Sequence, residues 1–172
     1  NSRIGFVGVG RMGSNMARRL KDKGYAISAV HDCNSKGAES LARELSCEAA
    51  SSPARVAELC DVVLTVVSDD AAMHEIFLET SLNSLLAHAK GRLFINFATV
   101  NPEVHVKVES LVERHEGTSL EALMASSINQ AREGTLYLMC GGKKSVFEKA
   151  HTILHTLSPK PLYIGSAGEA AK

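Results

Sequence analysis

Residues 4–20 read IGFVGVGRMGSNMARRL, and this stretch decides the fold class. An apolar run, Ile4–Val7, leads directly into residues 8–13, whose sequence GVGRMG matches the pattern G-x-G-x-x-G. The first glycine of such a loop permits a tight turn and the second lets the backbone approach a pyrophosphate, while the third allows close packing of helix on strand. The apolar side chains that follow recur at helical spacing: Met12, Met16 and Leu20. A strand, a glycine loop and an amphipathic helix are therefore expected in this order.

The start of that helix is predicted to bind the phosphates of a nucleotide. Backbone N–H groups at a helix N-terminus have no partner within the helix, and they attract anions. A glycine-rich turn without a ligand is the alternative. The predicted phosphate-binding residues are Gly8, Gly10, Arg11, Met12 and Gly13.

The same pattern requires an acidic residue about twenty positions later, at the end of the second strand. His31 and Asp32 stand at this place. A carboxylate there accepts hydrogen bonds from the adenosine ribose and repels a 2′-phosphate, which favours NAD over NADP. Ser35 and Lys36 follow closely and could serve a 2′-phosphate instead. Asp32 as an ordinary solvated carboxylate at a strand end is a further alternative.

The rest of the chain alternates β-rich runs with helical stretches, which predicts an α/β fold. We expect a Rossmann-type, doubly wound, mostly parallel sheet with helices on both faces. Ser52-Pro53 and Asn101-Pro102 are typical helix starts. A dinucleotide-binding domain is predicted over residues 1–165, and a helix leading to a further domain over 166–172. The expected strands are Arg3–Val7, Ala26–His31, Val62–Val67, Arg92–Asn96, Ser119–Leu123, Leu136–Cys140 and Leu162–Ile164.

Composition narrows the possible partners and the compartment. The 19 basic and 19 acidic side chains cancel, which argues against nucleic acid. Apolar runs reach only about six residues, too short to span a membrane. The four cysteines have no paired spacing, and His151 and His155 have no third ligand nearby, so neither a metal nor a disulfide is expected. A cytoplasmic location is predicted; a mitochondrial one stays open, because the chain begins at Asn1 and a targeting segment would be missing.

Longer motifs carry a family resemblance. The segments IGFVGVGRMGSNMA (4–17), DVVLTVVSD (61–69) and ATVNPE (98–103) are similar to three segments of the β-hydroxyacid dehydrogenase family. This family includes 3-hydroxyisobutyrate dehydrogenase and relatives of 6-phosphogluconate dehydrogenase. The resemblance places Val67 and Ser68 against the cofactor and Thr99 near its nicotinamide. For Thr99, capping of a strand end is an equal alternative on the sequence alone.

Residues 121–134 resemble the family's substrate segment, usually Asp-x-Pro-Val-Ser-Gly-Gly followed by Gly-Thr-Leu. Gly134-Thr135-Leu136 keeps the end, but Ala125-Ser126-Ser127 stands where Ser-Gly-Gly is expected. In the family this loop offers backbone N–H groups and a hydroxyl to the substrate carboxylate. The loss of two glycines restricts the backbone. Ser126 and Ser127 become the candidate substrate-binding residues, although they could equally be ordinary loop serines.

Residues 168–172 (GEAAK) resemble the Gly-x-x-x-Lys setting of the family's catalytic lysine, which assigns that role to Lys172. A base must take the hydroxyl proton while hydride leaves for the nicotinamide, and a desolvated lysine can do so. A solvated surface lysine is the alternative. The family continues with an asparagine and an all-helical C-terminal domain, through which it assembles into oligomers. Neither lies within these 172 residues, so the chain is expected to bind cofactor without completing turnover.

Two functions follow from these observations. The first is an oxidoreductase that uses NAD or NADP to interconvert a small 3-hydroxy acid and its semialdehyde or keto acid. The second is a nucleotide-binding or scaffold module that has kept the fold and lost the chemistry, an alternative motivated by Ala125-Ser126-Ser127.

Overall fold

One mostly parallel sheet organises the chain in the computed structural model, which describes residues 2–172. The strand order is β3-β2-β1-β4-β5-β6-β7-β8, and only the β6–β7 pair is antiparallel among these residues. This order, which reverses between β1 and β4, is the doubly wound topology that the sequence predicts. The strands are β1 Arg3–Val7, β2 Ala26–His31, β3 Glu48–Ala49, β4 Val62–Thr65, β5 Leu93–Asn96, β6 Thr118–Met124, β7 Leu138–Gly141 and β8 Leu162–Gly165.

Helices connect these strands and cover both faces of the sheet. The Ser52 hydroxyl accepts a hydrogen bond from the Arg55 N–H, and the Asn101 side chain accepts one from the Glu103 N–H, which confirms both predicted helix starts. The helices are α1 Arg11–Asp22, α2 Ser35–Leu45, α3 Pro53–Leu59, α4 Asp70–Ile76, α5 Pro102–Arg114, α6 Ile128–Glu133, α7 Lys144–Lys149 and α8 His151–Leu157, with a 3-10 turn at Leu85–His88.

Two hydrophobic cores lie on opposite faces of the sheet. Alternate strand residues point to opposite faces, so Phe6 packs in one core and Val7 in the other. The first core includes residues of α1, α2, α6, α7 and α8, and the second includes residues of α3, α4 and α5. Burial on both faces explains why β4 is apolar without alternation.

The structure corrects several sequence-based boundaries. β4 ends at Thr65 rather than at Val67. β3 was not predicted, because it contains only two exposed residues and shows no alternation. Residues 166–172 form turns rather than the predicted start of a helix. In these turns the N–H groups of Gly168 and Ala170 donate to the side chain of Glu121. The division into a domain at 1–165 and a further one stays a prediction.

Across residues 2–172, no helix combines the length and the apolar character needed to cross a bilayer.

Candidate cofactor-binding site

The three glycines of the loop have different surroundings. Gly8 has φ +96°, and a Cβ there would overlap the backbone carbonyl of Val66. A Cβ on Gly13 would overlap the carbonyl oxygen of Gly8, so the first and third glycines are required by the packing of the chain itself. Around Gly10, by contrast, no described atom lies within 4 Å of the position of a Cβ, apart from its two neighbours in the chain and the adjoining helix backbone. The second glycine therefore leaves open space for a ligand.

The N-terminus of α1 is well suited to an anion. Gly10 is its N-cap residue and provides no side-chain hydrogen bond, and the first turn contains no acidic residue. The N–H of Ser14 bonds to the carbonyl of Gly10 (2.9 Å), which is the first turn of the helix. The N–H groups that precede Ser14 thus lie ahead of the hydrogen-bonded part of the helix, as in a phosphate site.

Asp32 connects the second strand to the glycine loop. Its Oδ2 accepts a hydrogen bond from the Val9 N–H (2.7 Å), and its Oδ1 accepts one from the Asn34 N–H (2.9 Å). The carboxylate therefore orders the glycine loop, a role that sequence reasoning missed. Each oxygen retains a second lone pair for a ribose hydroxyl. Ser35 and Lys36 lie beside it, exposed at the start of α2.

A cleft of about 470 Å³ brings together the predicted residues Gly8, Gly10, His31, Asp32, Val67 and Ser68. His31 is fixed through Nδ1, which lies 2.9 Å from the Ala50 carbonyl oxygen. Sequence reasoning missed several lining residues of α4 and of the segment after it, since no motif marks either one. The added lining residues include Cys33, Pro53, Ala72, Glu75, Ile76, Ser81 and Asn83.

Four predicted cofactor residues do not line this cleft: Arg11, Met12, Gly13 and Thr99. Arg11 is exposed at the start of α1, and Met12 is partly buried against the first core. Thr99 is exposed three residues beyond β5. Their contact with a cofactor stays a prediction.

The two predicted substrate-binding serines have structural partners. The Ser126 hydroxyl accepts a hydrogen bond from the Tyr137 N–H (2.7 Å). Ser127 is the N-cap of α6, and with Gln130 it forms a capping box. Gly134 ends α6 with φ +75°, so this part of Gly-Thr-Leu stops the helix. Both serines thus shape the loop, and their binding to a substrate stays a prediction.

Lys172 lies on the surface in this structure. Its side chain is 65% exposed, and its Nζ is 3.0 Å from Oε1 of Glu169, which is itself 42% exposed. An ion pair with this exposure contributes little to stability. The neighbouring Ala170 is buried, so the chain leaves the interior just before the lysine.

No group of three His, Cys, Asp or Glu side chains within the described part of the chain is placed to hold a metal ion.

These features define the class of protein: a Rossmann-type domain with a dinucleotide cleft at the carboxyl ends of its strands. Residues 3–165 match the family described as "NAD binding domain of 6-phosphogluconate dehydrogenase". The chain belongs to this family of NAD-binding domains, within the β-hydroxyacid dehydrogenases.

Individual relatives agree with this assignment. Mitochondrial 3-hydroxyisobutyrate dehydrogenase of Rattus norvegicus is 31% identical over 166 residues, which are 96% of this chain and 48% of that protein. Cytokine-like nuclear factor N-PAC of Anopheles gambiae is 29% identical, over 99% of this chain and 30% of that protein. The structure of Mycobacterium tuberculosis 3-hydroxyisobutyrate dehydrogenase with L-serine has a TM-score of 0.88 and 27% identity, over 99% of this chain and 56% of that one. The chain thus spans half or less of the length of these curated relatives.

Alkylation of the cysteines tests whether NADH binds in the cleft. Cys33 is exposed and lines it, whereas burial raises the pKa of Cys60 and of Cys140 to about 12. We expect iodoacetamide to label Cys33 first near neutral pH, and saturating NADH to slow this reaction at least about fivefold. Peptide mass spectrometry measures both rates. Half-buried Cys47 is the control, and equal protection of Cys47 and Cys33 would argue against binding in the cleft.

Proposed function

We propose that this chain is the cofactor domain of an NAD(P)-dependent oxidoreductase that interconverts a small 3-hydroxy acid and its semialdehyde or keto acid. Compounds similar to 3-hydroxyisobutyrate are the proposed substrates. The observation that carries the proposal is the open space at Gly10, beside a helix N-terminus and a cleft that Asp32 borders. Membership of a dehydrogenase family supports it.

The residues of the cleft fit a dinucleotide. The start of α1 provides the phosphate site, and Asp32 provides a carboxylate at the end of β2 for the adenosine ribose. When bound, the nicotinamide accepts or supplies the hydride. Because the Asp32 carboxylate would repel a 2′-phosphate, NAD is the proposed cofactor, and NADP through Ser35 and Lys36 is the alternative.

Lys172 is proposed to take the proton from the substrate hydroxyl, or to return it in the reverse direction. Its exposure here implies that another part of the protein must cover it, because a lysine acts as a base once it is desolvated. The greater length of the relatives agrees with a covering domain, and we propose assembly into a homo-oligomer through it. A cytoplasmic or mitochondrial location remains a prediction; the rat relative is named mitochondrial.

A scaffold module without chemistry is the second candidate. The hydroxyls of Ser126 and Ser127 accept hydrogen bonds from backbone N–H groups, and their loop lacks the two expected glycines. A relative of similar identity is named a nuclear factor rather than an enzyme. Retention of Lys172 favours the oxidoreductase.

Titration of this chain with NADH and with NADPH, followed by nicotinamide fluorescence, tests the cofactor proposal. We expect NADH to bind at least about tenfold more tightly, and Asp32→Asn to reduce this ratio by removing the charge while keeping an acceptor oxygen. Lys36→Ala is the matched control and should leave the ratio unchanged. A preference for NADPH that Lys36→Ala abolishes would reassign the ribose end to Ser35 and Lys36. Binding of neither nucleotide would favour the scaffold module.

A further inference from the structure

A row of buried polar side chains crosses the middle of the sheet. Thr65 of β4 pairs with Asn96 of β5, and Asn96 pairs with Glu121 of β6. All three are at most 3% exposed. The Thr65 hydroxyl donates a hydrogen bond to Oδ1 of Asn96 (2.6 Å). The Glu121 side chain instead accepts hydrogen bonds from residues near the end of the chain. Since polar groups are costly to bury, their retention needs a reason.

Glu121 holds the backbone of the turns that precede Lys172. Its Oε1 accepts hydrogen bonds from the N–H groups of Gly168 (2.7 Å) and Ala170 (3.2 Å). Gly141 on the neighbouring strand makes room for this carboxylate, because a Cβ there would overlap Oε1. One side chain therefore connects the centre of the sheet to the segment that carries the proposed catalytic lysine.

The second oxygen of Glu121 faces a buried histidine. Oε2 has no hydrogen-bond partner among residues 2–172, and Nε2 of His105 lies 3.4 Å away. Burial raises the pKa of Glu121, opposed by the N–H groups of Ala170 and Gly168 and assisted by the charges of Glu109 and Glu169. Burial also lowers the pKa of His105. Both shifts act towards the neutral form of each side chain, because burial penalises the charged form.

The helix that carries this histidine connects these turns to the other end of the proposed site. His105 lies in α5, whose N-cap is Asn101, two residues after Thr99. The turns pack on the first part of α5: a Cβ on Gly168 would lie 3.1 Å from the Pro102 carbonyl oxygen and from Cγ2 of Val106. Glu121 thus lies between the segment assigned to the nicotinamide and the segment assigned to the proton transfer.

We propose that Glu121, supported by His105, is a positioning residue: it holds residues 168–170 and so sets the place of Lys172 relative to the end of β5. The proposal rests on the function proposed above for Lys172, and it adds a residue that touches neither substrate nor cofactor. Glu121 acts through the backbone, whereas the ion pair of Lys172 with Glu169 lies on the surface.

The test compares Glu121→Ala and Glu121→Gln with a matched control, Ser119→Ala. Ser119 is a buried polar residue of the same strand. Glutamine keeps an oxygen for the two N–H groups, and alanine removes it. In this chain we expect the Gly168 and Ala170 amides to exchange with solvent at least about tenfold faster in Glu121→Ala, but less than about threefold faster in Glu121→Gln and Ser119→Ala.

Lys172 itself supplies the second measurement. After reductive methylation with ¹³C-formaldehyde, its dimethylamino NMR signal should shift in Glu121→Ala and stay close to the wild-type position in Glu121→Gln. If Glu121→Ala does not fold, Glu121→Asp carries the test, because its carboxylate reaches one methylene less far. Unchanged amide exchange, or an unchanged Lys172 signal despite faster exchange, would overturn the proposal.

Turnover of the full-length protein separates this proposal from the proposed function. We expect Glu121→Ala to lower kcat at least about tenfold with little change in the KM for cofactor, and Glu121→Gln to restore kcat. If the Lys172 NMR signal does not shift in Glu121→Ala, the positioning role is overturned, whether or not the protein is active. The wild type could prove inactive while Glu121→Ala still shows both the faster amide exchange and the shifted Lys172 signal. This result would refute the dehydrogenase function and leave the structural role of Glu121 in place.

Discussion

Gly13→Ala is expected to destabilise the protein strongly. The added Cβ would overlap the carbonyl oxygen of Gly8, and Gly8 is itself held against Val66. Because the overlapping atom belongs to the backbone, two backbone segments would have to move apart. A flexible side chain, by contrast, could relieve an overlap by rotating away. We expect a loss of about 3 kcal/mol, at the upper end of the usual cost of overpacking. For a chain of this size this lowers the Tm by roughly 10 °C.

Gly10→Ala is the matched control, since it adds the same methyl group three residues away in the same motif. Its Cβ meets open space and its φ of −67° suits alanine, so the cost should be at most about 1 kcal/mol, from the weaker N-cap. NADH affinity should nevertheless fall at least about tenfold, because the methyl group occupies the approach of the pyrophosphate. Thermal unfolding and NADH titration of both variants provide the comparison. Equal loss of stability in both, or full NADH affinity in Gly10→Ala, would contradict this division of roles.

Lys172→Ala is expected to have the largest effect on turnover. If Lys172 handles the hydroxyl proton, kcat of the full-length protein should fall about a thousandfold, within the usual range for general acid–base groups. The affinity for NADH should remain within about twofold of the wild-type value, because Lys172 does not line the cleft. Steady-state assays with a panel of small 3-hydroxy acids, together with NADH titration, measure both quantities.

Glu169→Gln is the control for that variant. It removes the charged partner of Lys172 and keeps the lysine, so kcat should change less than about threefold. Full activity of Lys172→Ala would assign the proton transfer to another group. A wild type that binds NADH and turns over no hydroxy acid of the panel would favour the scaffold module.

Much of the cofactor end could be predicted because its signals are close together in the chain. The strand, the glycine loop and the helix are contiguous in residues 4–20, and the alternation of strands and helices indicates the layers. Asp32 follows at the interval that the motif requires, but its hydrogen bond to Val9 could not be anticipated. That contact depends on how the end of β2 lies against the loop.

The proposed substrate end could be predicted less well, because its residues have local alternatives. Ser126 and Ser127 stand in the segment that resembles a substrate loop, yet a serine before a short helix is also a helix cap. The segment at 166–172 was expected to begin a helix; it forms turns, and the N–H groups of Gly168 and Ala170 bond to Glu121. Local preference is weak where a distant side chain competes for the same backbone groups.

The sequence by itself determined the fold class, the family and the glycine loop with the helix that follows it, since periodicity and motif spacing express requirements of neighbouring residues. Only the tertiary structure decided that Thr65, Asn96 and Glu121 form one buried row, and that Glu121 bonds to an N–H group 47 positions away. Strand order and register bring these residues together. From the sequence alone, a glutamate within an apolar strand is predicted to be exposed. The tertiary structure shows that Glu121 is buried and has hydrogen-bond partners there.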